Sequence, residues 1–358
     1  MSVSLRLYPP FVQGYLFYAY PASLIGMTDE TKPWIFSHYI QMCIDPDFEH
    51  SPVPYTFYAF DYAMCPWLKV ESISRKTLQA CGPDPLSFFK ACIAQQQCIY
   101  VYLDEYQIPH RVHYRKSRFI HENLIVGYDD NEGAFELLGF DEYMIFRRTK
   151  ISYEQMLTAY AGVDDGMDQP DELHQILNSD SARVFQRIQL FQRHSDVRYP
   201  FDTQLVWESM QDYVQGYNTS NRLSMLRKPW NRAYGIHCYP YILDYVHRLI
   251  HDEVPFDIRY LHNLWEHKQL MTKRIHYMQQ HQFLGRDTAI QKEFEKLEHQ
   301  TLLLRNLMLK YYYQPNRAHL EHIGEALPQI GEKEVPLLRC VMEDMQHQAC
   351  LAGRPISE

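Results

Sequence analysis

The chain has 358 residues, 46% hydrophobic and 22% charged, with a formal net charge of −9. This composition excludes a disordered chain, and the length suits two domains, each with a core of its own. The acidic balance runs through both halves, so bulk electrostatics recruit neither nucleic acid nor an anionic membrane, although residues 111–118 (RVHYRKSR) form a local basic run.

In chain order, residues 1–26 carry one Arg and an aromatic run broken by prolines. They lack a continuous apolar span and a small-residue cleavage site, which predicts a cytoplasmic protein. Pro33 fits the first turn of a helix over 34–42, and the proline-rich stretch 45–54 predicts a loop. Residues 85–97 (PLSFFKACIAQQQ) place Leu86, Phe89, Cys92 and Ile93 at helical spacing. The pattern then changes to strands: 98–103 (CIYVYL), 118–128 and 134–140, the last two joined by the polar turn DDNEG. Two β-rich runs around such a turn predict an antiparallel hairpin, which 143–148 extends. Ser152 with Gln155 three residues later predicts a capped helix.

The acidic stretch 164–172 (DDGMDQPDE) marks a boundary. Beyond it the chain reads as almost wholly helical, with breaks near 198–200, 228–229, 254–256 and 327–333 and apolar faces over 257–282 and 287–313. The eight cysteines form no CxxC pair, so zinc-ribbon and thioredoxin-type chemistry are unsupported. In the expected compartment they are reduced, and most serve as small core residues. His110 and His113 flank Arg111 without a compact metal-ligand spacing. His262 and His267 are five apart, not the four of a helical zinc motif. Asp257, Arg259, Glu266 and Lys268 predict a polar network near a helix start.

The stretch 101–160 carries a resemblance. A strand ends in Asp104-Glu105, a basic-aromatic loop leads to His121 at the start of the next strand, and a hairpin returns to Gly139-Phe140-Asp141 before the Ser-Tyr-Glu-Gln helix. This layout resembles the N-terminal domain of the butirosin biosynthesis protein H family, which is similar to bacteriocin-processing peptidases and, more distantly, to papain. The segment 256–271 (FDIRYLHNLWEHKQLM) is similar to helical segments joined to this domain in non-ribosomal peptide clusters.

The resemblance implies a papain-like α+β domain with an antiparallel sheet over 1–163, an all-α helical domain over 170–345 and a tail over 346–358. It implies a thiol chemistry in which His121 is the base and Asp141 orients it, with Glu142 and Asp104 as other carboxylates able to reach the ring. Gln13 would supply the oxyanion donor, and a Cys is expected six residues later, where this chain has Ala19. The nearest cysteine is Cys43, expected toward the end of a helix, where the dipole disfavours a thiolate. Ser23, Ser37 beside His38, and Cys65 are further candidates.

Two functions follow as expectations. In the first, the protein transfers or hydrolyses an acyl or peptidyl group held as a carrier-protein thioester in secondary-metabolite biosynthesis. The partners would be an acyl- or peptidyl-carrier protein and a small-molecule amine or water; no cofactor, metal, nucleic acid or membrane is expected. In the second, the protein is a non-catalytic relative that lost its Cys nucleophile and binds a carrier protein or peptide intermediate. Ala19 favours the second, as does Pro21, expected to break the first helix.

Overall fold

A computed structural model describes residues 1–58, 62–163, 184–222, 230–353 and 356. Its elements begin with β1 (Ser2–Ser4), α1 (Leu16–Ile25), α2 (Lys32–Ser37), β2 (Met42–Ile44), β3 (Tyr55–Phe57) and β4 (Leu68–Ser74). There follow α3 (Arg75–Cys81), α4 (Pro85–Ala94), β5 (Cys98–Asp104), β6 (Ile120–Asp129), β7 (Ala134–Phe140), β8 (Phe146–Ser152) and α5 (Tyr153–Ala161). The remainder is β9 (Arg187–Arg193), α6 (Thr203–Gln215), β10 (Ala233–Tyr234), α7 (Tyr239–Ile250), α8 (Arg259–Gln280), α9 (Thr288–Tyr313) and α10 (Arg317–Leu351). An α+β region thus precedes an all-helical bundle. No helix among the described residues is long and apolar enough to cross a membrane.

The chain divides into two compact units, one of Met1–Thr31 with Asp61–Arg198 and the other of Lys32–Phe60 with Tyr199–Glu358. The first holds a seven-stranded antiparallel sheet in the order β4-β9-β5-β6-β7-β8, with β1 added along β6. Its central strands are apolar on both faces: Ile99, Val101, Leu103, Leu124, Ile125, Val126, Phe135 and Leu137 are all buried. Local chemistry sets the surrounding helices. Asp84 caps α4 with Pro85 in its first turn, and Ser152 and Gln155 form the reciprocal capping box at the start of α5. The β6–β7 turn closes on Gly133 at φ 62°, a conformation that glycine adopts without steric cost.

In the second unit α8 packs on α9, α9 on α10, and α10 on both α6 and α7. One stripe of α8 is polar and, past the half-buried Arg259, buried, and it binds main-chain carbonyls of the segment 32–60. Arg259 donates to Pro52, Asn263 to Tyr55, His267 to Ile40, and Arg274 to Phe36, His38 and Tyr39. These positions recur at about four-residue intervals, so one face of one helix carries them. Beside the stripe, Lys268 pairs with Glu334 at 2.5 Å with both side chains wholly buried, and the hydroxyls of Tyr213 and Tyr239 complete the carboxylate's hydrogen bonds. A buried ion pair persists when its remaining polar capacity is satisfied in this way.

Several expectations are corrected. The helix predicted over 34–42 ends at Ser37, and Cys43 lies on strand β2 rather than at a helix end. The stretch beyond 170, read as helical, contains β9, which pairs with both β4 and β5. The sheet unit therefore extends past residue 163 to Arg198, while 32–60 clusters with the helical residues. The predicted boundary at 164–172 lies outside the described residues. Neither Pro21 nor the predicted break at 327–333 ends a helix: α1 continues through Pro21, and α10 through Pro328 and Pro336 to Leu351, within the predicted tail. Pro328 and Pro336 are exposed, so the carbonyls they leave without a donor can meet water. Pro21 is held by packing, since nearly every residue of α1 is buried.

Candidate active site

Antiparallel pairing of β5 with β6 sets Leu103 against His121 and Asp104 against Ile120. His121 therefore opens β6 where β5 runs out into Glu105, whose N–H donates to Phe119 O at 2.8 Å. The imidazole Nδ1 lies 3.0 Å from Glu105 Oε1, and Nε2 lies 3.7 Å from Glu122 Oε2. The ring thus has a carboxylate near each nitrogen, with only that of Glu105 at hydrogen-bond distance. Glu105 is almost wholly buried, whereas the His121 side chain is 35% exposed.

Burial of the ring favours its neutral form, but Glu122 and then Glu105 outweigh it, and the His121 pKa is raised above 6.5. A second cation lies beneath. Arg111 is 3% exposed and lies 3.9 Å from Glu105; it donates to Phe140 O at 2.7 Å, to Asn123 Oδ1 at 3.2 Å and to Leu138 O at 3.4 Å. Asn123 in turn donates to His121 O, which ties the guanidinium to the strand that bears the imidazole. Gly139 leaves room for this arrangement: a Cβ there would stand 2.8 Å from an Arg111 nitrogen and 3.1 Å from Tyr20 Oη.

Above these charges lies a cavity of about 280 Å³. Its polar lining includes Glu105, Arg111, His121 and Glu122, and Leu16, Phe119, Phe140 and Met144 add apolar surface. From α1 it receives Leu16 and Tyr20, four residues apart and so on one helix face. Burial holds the Tyr20 phenol well above its ordinary pKa, and its hydroxyl donates to Glu122 O at 3.2 Å. No Cys, Ser or Thr is among the described residues lining the cavity.

Of the predicted set, His121 and Asp141 do line one cavity. Continuing the β6–β7 register from Leu124 opposite Leu138 leads to that juxtaposition. The Asp141 carboxylate is nevertheless turned into its own loop. It accepts from the N–H groups of Tyr143 at 2.8 Å and Ile145 at 2.9 Å and pairs with Arg147. Burial would raise its pKa, but these donors prevail and hold it below the usual carboxylate range. Asp141 organises a turn; Glu105 orients the imidazole.

The other candidates are placed as follows. Cys43 belongs to the helical unit, fully buried on β2, with its thiol pushed up to about 11 by burial. Cys65 is buried and pushed up to about 12. Ser23 Oγ donates to Ala19 O, and Ser37 Oγ donates to Pro33 O and accepts from Asp202 N–H. Gln13 precedes α1, half-buried, and is not among the cavity-lining residues. Ala19 is buried and lies off the helix face that reaches the cavity, so counting six from Gln13 does not lead to the site.

Glu142 pairs with His110 at 3.3 Å, while Asp104 accepts from the N–H groups of Tyr106 and Phe119 and pairs with Arg118. His113 Nδ1 lies 2.8 Å from Ser117 Oγ. In the helical unit His262 contacts Glu266 and Arg305, and Asp257 binds Arg259. Sequence reasoning missed Glu105, Arg111, Glu122 and Tyr20. The first was legible in principle, because it lies two residues beyond Leu103, the partner of His121, and so is a diagonal neighbour of the ring. No family model matches the chain, and no curated protein matches it.

Proposed function

We propose that this protein is a non-catalytic relative of the papain-like acyl-transfer domains of the butirosin biosynthesis protein H type, and that its His121 cavity binds the acyl or peptidyl end of an intermediate held on a carrier protein. One observation carries the reading. An imidazole hydrogen-bonded to Glu105, with Glu122 near its other nitrogen, opens onto a cavity in which no described lining residue is a thiol or aliphatic hydroxyl. Covalent acyl transfer needs such a nucleophile within hydrogen-bond reach of the base. Position 16, where α1 begins and meets the cavity, bears leucine.

The test is to offer the protein an acyl-loaded carrier protein while following both thioester loss and the His121 ring signals by NMR. The expected result is a shift of those signals with no thioester loss above buffer. Turnover that disappears in His121→Ala would overturn the proposal.

A second reading is favoured by the exposed edge of the ring and its raised pKa. In that reading the neutral imidazole takes a proton from water as it attacks the thioester carbonyl; the C–S bond then breaks, the imidazolium returns the proton to the leaving thiolate, and the acid is released with no acyl-enzyme. Thioester hydrolysis would then rise with pH through the His121 titration, since only the deprotonated ring is a base.

A further inference from the structure

The surface changes character around the mouth of the His121 cavity. Tyr143, Met144 and Ile145, between β7 and β8, are each between 56% and 70% exposed. Met144 also lines the cavity, as do the exposed Val112 and Phe119, and the exposed Tyr106 is tied to the same loop by the bond from Arg115 N–H to its carbonyl. Single exposed apolar residues need no explanation, but a set gathered around one cavity marks an interaction surface. The tip is also braced. Asp141 binds the N–H groups on either side of Met144, which sits at φ 59°, uncommon for a residue with a side chain. A turn held in this way loses little conformational freedom when something docks on it.

The 106–119 loop beside this rim is basic, and Glu142 next to the tip is paired with its His110. Residues 106–119 contain four basic residues and no acidic one; Arg115 and Lys116 are exposed, as are Arg118, which pairs with Asp104, and Arg147 beyond the tip, which pairs with Asp141. The chain as a whole is acidic, so this is a local reversal.

We infer that the rim is the docking surface for an acidic protein domain that delivers a tethered group into the cavity. The inference rests on the carrier-protein reading above and gives it a surface. Charge complementarity selects an acidic partner, and the apolar tip supplies the desolvated contact. A lipid bilayer fits less well. Seating the rim in hydrocarbon would seal off the Glu122 carboxylate, which lies 3.7 Å from His121, and withdrawing such a charge from water is costly. The cavity of about 280 Å³ falls just under the ~300–1,000 Å³ typical of small-molecule sites, which suits the end of a longer, tethered molecule.

The experiment uses the full chain and three probes: acetyl-loaded acyl carrier protein, free acetyl-pantetheine, and vesicles rich in phosphatidylserine. The loaded carrier is expected to bind, more weakly as salt rises. Tyr143→Ser/Ile145→Ser should weaken it roughly tenfold or more, and Arg115→Glu/Lys116→Glu should weaken it and flatten the salt dependence. Neither variant should change binding of the free arm, which reaches the cavity alone. Absence of carrier binding, equal carrier binding by wild type and both variants, or vesicle binding that the rim variants abolish would each overturn the docking surface. Carrier binding that depends on the rim but leaves the His121 signals unmoved would uphold the surface and overturn the cavity's role.

Discussion

Glu105, just past the end of β5, orients the His121 ring. It touches Nδ1 and, with Glu122, raises the imidazole pKa against the effect of burial. Glu105→Gln is therefore expected to lower the His121 pKa in an NMR titration, whereas Asp141→Asn should leave it nearly unchanged, because that carboxylate is engaged by its own turn. The same shift couples to stability. The folded ring holds its proton more tightly than the unfolded chain, so its contribution is complete below about 6.5 and is lost as pH rises through the folded value. Wild type should accordingly exceed His121→Gln in stability most clearly below pH 6.5, and the gap should narrow above the folded pKa. The sequence showed a histidine at a strand start with several acidic neighbours. It did not show which carboxylate would be free, because that depends on where the backbone N–H groups of residues 143 and 145 point.

Helix α8 shows how an element can hold irregular chain. Its buried stripe binds carbonyls rather than side chains, so it secures residues 36–55 with little regard to their sequence. Arg274 is the strongest of these ties, wholly buried, donating to three carbonyls, its pKa pushed down to about 9 by burial. Arg274→Ala removes all three donors and leaves their acceptors buried, and is expected to cost about 3–5 kcal/mol. A urea titration would register this as a lower midpoint, and Arg274→Lys should recover only part of the loss, because an ammonium lacks the planar fork. Of this stripe, only Arg259 belonged to the polar network that the sequence predicts near a helix start. Its partners lie more than two hundred residues earlier in the chain, beyond the reach of any local pattern.

At the scale of the whole molecule, the chain visits the helical unit briefly at 32–60, returns to the sheet, and leaves again after Arg198. A fragment cut at the predicted boundary would carry β4 and β5 without β9, the strand that lies between them. Residues 1–163 alone should therefore fail to fold, with unpaired strand edges that drive aggregation. Circular dichroism and light scattering of that fragment would test this, and a soluble, cooperatively melting product would contradict it.

Where the signal was local, reading the residues sufficed. The hairpin of β6 and β7 with its four-residue turn, the capped helices α4 and α5, and the apolar stripes of α8 and α9 each follow from periodicity, capping chemistry and turn residues, which act over a few positions. Pairings across long sequence separations could not be read this way. They include β9 entering the sheet and Cys43 on a buried strand, and the same holds for α1 and α10 continuing through proline. Each depends on which hydrogen-bond donors and apolar surfaces the packed chain brings together, and packing outweighs local preference wherever a buried polar group must find a partner.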